Sequence, residues 1–269
     1  MINLRRTILF TLATGEYHEI LKYTGPFLQA YAQRWGWEYQ VVTKSLDNSR
    51  PDAWSKIRKI IELLSSYDTV VYIDSDALIM NFDTNILEEV PNESEFAWVV
   101  GVNNGMLMPN AGVMVIRSCK NSASLMSRAY DLKDGINDPW WEQLALMRIL
   151  GYPDPRPSSD KKNLQEIITL PMAIFHLNSK WNVTSQEIGL SQMLIRHFAG
   201  DPFLVKKMMT IDYISRLFSE EKIKEMGLSL EKLRSEYNQV RQILYSQKTS
   251  KMYFYFSSLK RVIKKILDR

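Results

Sequence analysis

Apolar residues fall into short runs along the first part of the chain, separated by stretches with helical spacing. "RTILFTLAT" is an apolar run that stops at Thr14-Gly15, the pattern of a buried strand feeding a turn. Helical spacing follows from about Glu16 to Arg34. "EYQVVTK" predicts a second strand, and "AWSKIRKIIELLSS" a helix with Trp54, Ile57, Ile60, Ile61 and Leu64 on one side. "TVVYI" predicts a third strand and runs straight into "DSDALIM". Strand, helix, strand, helix, strand is the order of a parallel sheet with crossover helices. Strands this continuously apolar fit a sheet covered on both faces.

The order then changes. "EFAWVVGV" and "AGVMVIRS" predict two more strands, joined by a turn-rich connection, "NNGMLMPN". "SASLMSRAYDL" and "PWWEQLALMRILG" predict helices, the second with Pro139 near its start. "QEIITLPMAIFHL" and "QMLIRHFAG" are short apolar segments. Beyond Pro202 strand signals give way to Lys/Glu-rich helical sequence. The expected division is an α/β domain over residues 1–202 and a helical extension over 203–269.

Composition narrows the function classes. With 269 residues and 45% hydrophobic content, the chain can bury one large core. The net charge of +4 is uneven: residues 203–269 carry 15 Lys/Arg against 7 Asp/Glu, and the rest 19 against 23. A mildly acidic body argues against nucleic acid as a partner, since that needs a basic stripe on the body. Cys119 has no partner within the chain, which fits a reducing compartment. The opening "MINLRRTILF" reads as a first strand rather than a signal peptide. No run reaches the roughly 18 apolar residues that span a bilayer. These points lead to a cytoplasmic expectation.

The candidate chemistry starts at Asp74 and Asp76, where the third strand should end. Open α/β sheets bind ligands at the carboxyl ends of their strands. On an extended backbone, residues two apart point the same way. Two carboxylates so placed repel unless a cation lies between them or one is protonated. Hard divalent ions take oxygen ligands and bridge carboxylates to phosphates. The bland alternative is a loop in which one aspartate caps a helix and the other is solvated. A third ligand must come from elsewhere, and His197 in "IRHFAGDP" is a candidate, with Gly200 allowing close backbone approach to a phosphate. The alternative for His197 is a core or surface histidine at a strand end. His176 reads as structural or substrate-lining, and His18 as part of the first helix.

"WSKI", "VVYIDSDALI", "NAGVMVIRS", "WWEQLALM", "SKWN" and "HFAG" together resemble the GT-A-fold glycosyltransferases, family 34 most and family 8 more distantly. The resemblance spans roughly residues 5–202 and implies a Rossmann-like nucleotide-diphospho-sugar transferase fold. It implies that Asp74 and Asp76, with Ser75 between them, and His197 hold Mn²⁺ (or Mg²⁺) against a nucleotide diphosphate. It places Thr11, Ala13 and Thr14 along the base and ribose, and Lys56 at the nucleotide or its phosphates. Asn110 and Gly112 would border the donor sugar, and Glu142 and Gln143 would flank the reacting anomeric carbon. Asn178, Lys180, Trp181 and Asn182 would lie close to the acceptor or the sugar.

The implied reaction moves a galactose-, glucose- or xylose-type sugar from a nucleotide diphosphate, UDP foremost, to a hydroxyl of a glycan or lipid-linked glycan, with retention. A front-face route and a covalent intermediate on Glu142 both remain open, and the plain reading of Glu142 is a solvated residue in a first helical turn. One feature departs from the family pattern. The lysine that soon follows "HFxG" and grips the diphosphate is replaced by Pro202 and Phe203, leaving Lys206, Lys207, Arg196 or Lys56 for that role.

Three other readings compete. A non-catalytic nucleotide-sugar or glycan-binding module has the same pattern. A sugar nucleotidyltransferase would show a Gly-rich basic loop after the first strand, and "TLATGEYHEI" has a single glycine. A two-aspartate phosphatase would place D-x-D after the first strand, not the third. The tail is a separate case. In residues 251–269, Tyr255, Phe256, Leu259 and Ile263 share one helical face, opposite Lys260, Arg261, Lys264 and Lys265. That pattern fits either an anionic membrane surface, here the inner face of the membrane, or a helix packed on the main domain.

Overall fold

Three parallel strands form the floor of the computed structural model, which describes residues 6–103, 106–138, 140–155, 167–184, 193–199 and 203–248. β1 (Thr7–Leu12) lies between β2 (Glu38–Val42) and β3 (Thr69–Ile73), with Ile8 opposite both Glu38 and Val70. α1 (Tyr17–Arg34) and α2 (Ser55–Leu63) make the crossovers. All five residues of β3 are buried, which is why its sequence shows no polar alternation. β4 (Ala77–Ile79) follows almost at once, and α3 (Ile86–Glu89) after it.

β5 (Phe96–Asn103), β6 (Met106–Arg117) and β7 (Ile174–Leu177) complete a six-stranded sheet in the order β2-β1-β3-β6-β5-β7. β6 runs antiparallel to both β3 and β5, while β7 is parallel to β5, so the sheet is mixed. The connection expected at "NNGMLMPN" is mostly strand. β6 begins at Met106, and the ladder continues from Val99↔Asn110 to Asn103↔Met106. Pro109 and Asn110 give a local turn signal. Cross-strand pairing overrides it, with a register shift between Trp98 and Val99 absorbing the irregularity.

α4 (Lys120–Asp131) and α5 (Trp141–Ile149) cover the sheet. Trp54, Phe10, Tyr72, Phe96 and Trp98 are fully buried in one continuous core with α2, α4 and α5. A second, three-stranded sheet has the order β4-β9-β8, formed with β8 (Val183–Thr184) and β9 (Ile195–His197). β9 is antiparallel to β4, with Ala77 opposite His197. That pairing carries His197 to the aspartates.

The chain divides into two compact units, residues 1–201 and 202–269. The second contains α6 (Phe203–Leu217), α7 (Glu220–Glu225) and α8 (Leu230–Lys248). Within it, Lys207 pairs with Glu236 at 3.2 Å, tying α6 to α8. Ser219 caps α7 by accepting from the Lys222 N–H. Among the described residues no helix is long and apolar enough to cross a membrane. Residues 251–269, the amphipathic segment of the sequence reading, lie outside the described residues.

Candidate active site

Asp74, Ser75 and Asp76 occupy the link between β3 and β4. They are not extended, as the two-residue spacing led us to expect. The Ala77 N–H donates to the Asp74 carbonyl at 3.0 Å, closing a turn that brings both carboxylates to one side. The Asp74 N–H donates to the Gly112 carbonyl at 2.8 Å, prolonging the β3–β6 ladder by one residue. The Ser75 carbonyl accepts from the Thr24 hydroxyl of α1. The turn is therefore held from two sides.

His197 arrives from β9 and is 3% exposed. Its Nε2 lies 3.1 Å from Asp76 Oδ1 and 3.5 Å from Asp74 Oδ2. One ligand atom from each of Asp74, Asp76 and His197 falls within a 4.8 Å group. The other ring nitrogen, Nδ1, lies 2.7 Å from Asn182 Oδ1. Asn182 Nδ2 donates to Asn110 Oδ1 at 2.8 Å, and the same oxygen accepts from the Gly112 N–H at 2.7 Å.

Lys56, in α2, is a buried cation between two carboxylates. Its Nζ is 2.7 Å from Glu142 Oε1 and 3.4 Å from Asp74 Oδ1, and it also donates to the Ala111 carbonyl at 3.3 Å. Burial works against its charge, but Asp74 and Glu142 outweigh that and raise its pKa. The Tyr72 hydroxyl donates to Asp74 Oδ1, and the Tyr72 ring lies 4.5 Å from the Lys56 ammonium. Burial, with the Asp74 charge adding to it, lifts the Tyr72 hydroxyl well above its ordinary range.

Glu142 opens α5 but is not a solvated first-turn residue; it is 4% exposed. Burial raises its carboxyl above the usual range, opposed by Lys56. Its Oε2 is buried with no hydrogen-bond partner among the described residues. Trp141, just before it, takes a left-handed φ of 40° with its indole half exposed. Gln143 Oε1 accepts from the Ala111 N–H at 2.9 Å, which leaves its amide NH₂ as the donor end.

The remaining residues singled out in the sequence separate clearly. Thr11 and Ala13 are buried at the carboxyl end of β1, with Thr14 half-buried beside them. Thr11 Oγ1 has no hydrogen-bond partner among the described residues. Trp181, which the resemblance put near the acceptor, is fully buried, and its Nε1–H donates to Glu89 Oε2 at 2.7 Å. Glu89 Oε1 accepts from the Asn178 N–H at 2.7 Å, so this glutamate anchors the whole "SKWN" turn. No sequence signal marked Glu89. Arg196 Nη1 turns to the Val183 and Thr184 carbonyls of β8. His176 meets the Tyr152 hydroxyl at 2.6 Å, and His18 the Thr43 carbonyl at 3.2 Å, neither one in the aspartate cluster. Gly200 lies outside the described residues.

Residues 18–104 match the model of the galactosyl transferase GMA12/MNN10 family, a segment that includes Lys56, Asp74 and Asp76. No curated protein matches the chain. Among solved structures, the chain is similar to a glycosyltransferase involved in the glycosylation of the major capsid of PBCV-1. The TM-score is 0.56 at 14% identity, over 76% of this chain and 98% of that one. The glycosyltransferase GlyE of Streptococcus pneumoniae TIGR4 gives a TM-score of 0.49 at 15% identity, over 94% of this chain and 67% of that one. An active-site mutant of LgtC gives 0.42 at 12%, over 72% and 88%. The fold is that of the GT-A glycosyltransferases. Family segment and fold together are those of a glycosyltransferase.

Proposed function

We propose that the protein transfers a sugar from a nucleotide diphosphate, UDP foremost, to a hydroxyl of a glycan or glycolipid, with Mn²⁺ or Mg²⁺ as cofactor and with retention at the anomeric carbon. The observation that carries this reading is the convergence of Asp74, Asp76 and His197 at the end of a buried parallel strand. Two carboxylate oxygens and one imidazole nitrogen suit such an ion, and the imidazole favours Mn²⁺ over Mg²⁺. The Nδ1 contact to Asn182 leaves Nε2 facing the carboxylates, as a ligand must.

In this reading Asp74, Asp76 and His197 hold the ion. When bound, it supplies Lewis-acid stabilisation of the departing diphosphate. Thr11, Ala13 and Thr14 line the base and ribose at the strand ends, where open α/β sheets bind ligands. Asn110 and Gly112 border the donor sugar. The bond from C1 to the diphosphate oxygen breaks and one from the acceptor oxygen to C1 forms. On the front-face route the acceptor proton passes to the departing phosphate oxygen. Positive charge builds at C1 and the Glu142 carboxylate stabilises it, while the Gln143 amide NH₂ beside it donates to an oxygen of the sugar or of the departing phosphate. Lys56 keeps Glu142 and Asp74 from repelling each other in a buried setting. Holding the two substrates in register supplies much of the remaining acceleration.

A panel of nucleotide sugars with Mn²⁺, read by released nucleotide, tests the proposal. Release above background from one donor, abolished in Asp76→Ala, is the expected result. Equal release from Asp76→Ala and the parent sinks the metal assignment. Nucleotide-sugar binding without turnover favours a binding module instead. We further propose that residues 251–269 attach the protein peripherally to an anionic membrane, which suits a lipid-linked acceptor. Removing residues 247–269 should release the protein from anionic liposomes, and unchanged binding refutes the attachment.

A further inference from the structure

The imidazole of His197 is held by a relay of side-chain amides, and the direction of that relay is fixed by the backbone. Nδ1 of His197 lies 2.7 Å from the Asn182 side chain, and both residues are buried. Which end of the Asn182 amide faces the ring decides which ring nitrogen carries the proton. The Gly112 N–H can only donate, and it donates to Asn110 Oδ1 at 2.7 Å. That oxygen takes its second hydrogen bond from Asn182, at 2.8 Å. An acceptor oxygen demands a donor, so Asn182 presents Nδ2 to Asn110 and Oδ1 to His197. Oδ1 can only accept, so Nδ1 of His197 bears the hydrogen. Nε2 is then the nitrogen left to face the carboxylates, 3.1 Å from Asp76 Oδ1.

The structure assigns Asn182 as the positioning residue of His197: it selects the Nδ1–H tautomer and aims Nε2 at the site shared with Asp74 and Asp76. The ligand it prepares for is a divalent cation, and in that respect the inference rests on the metal reading above. The relay joins three separate parts of the chain: β6 through Asn110 and Gly112, the turn before β8 through Asn182, and β9 through His197. Asn182 therefore acts on the metal ligand, a role that its implied place close to the acceptor or the sugar did not include. Hydrogen-bond partners of this kind orient metal-ligating histidines and raise their basicity.

The test uses the full chain, free of metal and labelled with ¹⁵N at histidine, with the ¹⁵N shift of His197 Nδ1 as the readout. The parent is expected to show Nδ1 of His197 protonated. Asn182→Leu fills the same space with no acceptor and is expected to give a tautomer mixture. Asn182→Asp restores an acceptor and is expected to restore Nδ1–H. Mn²⁺ affinity, followed by loss of the free-ion electron paramagnetic resonance signal, should fall about 10- to 100-fold in the Leu variant. The Asp variant should bind more tightly than the Leu variant. A purely space-filling Asn182 would make the two variants alike. If Asn182→Leu does not fold, Asn182→Ala gives the same readout. A parent in the Nε2–H form, or a Leu variant with parental tautomer and affinity, overturns the assignment. If the parent binds no divalent ion, the metal reading falls, and the tautomer comparison still decides the role of Asn182.

Discussion

Gly112 and His197 share a space with no room for another carbon. A Cβ on Gly112 would lie 2.3 Å from His197 Cε1 and 2.6 Å from Nδ1, and 2.8 Å from Asn110 Oδ1. Contacts that short do not occur, so the imidazole would have to move. Gly112→Ala is expected to weaken Mn²⁺ binding by about tenfold or more while the protein stays folded. Metal titration beside a thermal melt checks this, and parental affinity in the folded variant contradicts it.

Lys56 is a buried cation paired with both Glu142 and Asp74. Lys56→Met leaves Glu142 buried without its countercharge, and removing one partner of a buried pair costs on the order of 3–5 kcal/mol. The part-exposed Asp74 places the expected loss toward the lower end. Glu142→Gln added to Lys56→Met should recover part of it, because it removes the stranded charge. Urea unfolding of the parent, the single and the double variant provides the comparison.

Glu89 accepts from the Trp181 indole and the Asn178 backbone, both at 2.7 Å. Glu89→Ala leaves a buried N–H of a fully buried indole without that acceptor, a loss of roughly 1–3 kcal/mol. Glu89→Gln keeps an acceptor oxygen and should cost less. Asn182 follows directly in sequence, so the Ala variant should also loosen metal binding. Parental stability of Glu89→Ala would disprove the anchoring role.

The first strands and helices are legible in the sequence because their burial is two-sided. β3 is five buried residues in a row, and α2 with the turn just before it buries Trp54, Ile57 and Ile60 through their helical spacing. The aspartate pair is legible too, since two acids end an apolar run. Their geometry is not: a turn closed by the Ala77 N–H, rather than an extended strand, makes the carboxylates converge. Glu89 and the role of Asn182 are not legible at all. Each acts on a residue brought close only by tertiary structure: Glu89 reaches Trp181 across 92 positions, and Asn182 reaches Asn110 across 72. At Pro109 and Asn110 the local turn signal loses to cross-strand pairing for the same reason.

Asp47 gives the fold a pH dependence remote from the aspartate cluster. Hydrogen bonds from the Ser49 side chain, the Tyr130 hydroxyl and the Ser49 backbone lower its pKa to about 2. The unfolded value is about 3.9. A folded pKa below the unfolded one means stability that is present above about pH 4 and lost as pH falls toward about 2. Asp47→Asn should therefore be less stable than the parent at pH 6, with the difference closing between about pH 4 and about pH 2. Denaturant midpoints across that range check the prediction, and a constant difference refutes it.

The β4–β9 ladder sets Ala77 opposite His197, closing a loop of well over a hundred residues. β5, β6, α4 and α5 all lie inside that loop. Closing so long a loop carries an entropic cost that only late contacts repay. A ligand gripped jointly by Asp76 and His197 would act as a reversible cross-link across it, much as a disulfide would. By mass action such a ligand should raise the melting temperature of the whole α/β unit. A molecule in which β4 and β9 have not paired does not bring His197 to Asp74 and Asp76, so the grouping of these three side chains reports that the ladder is complete.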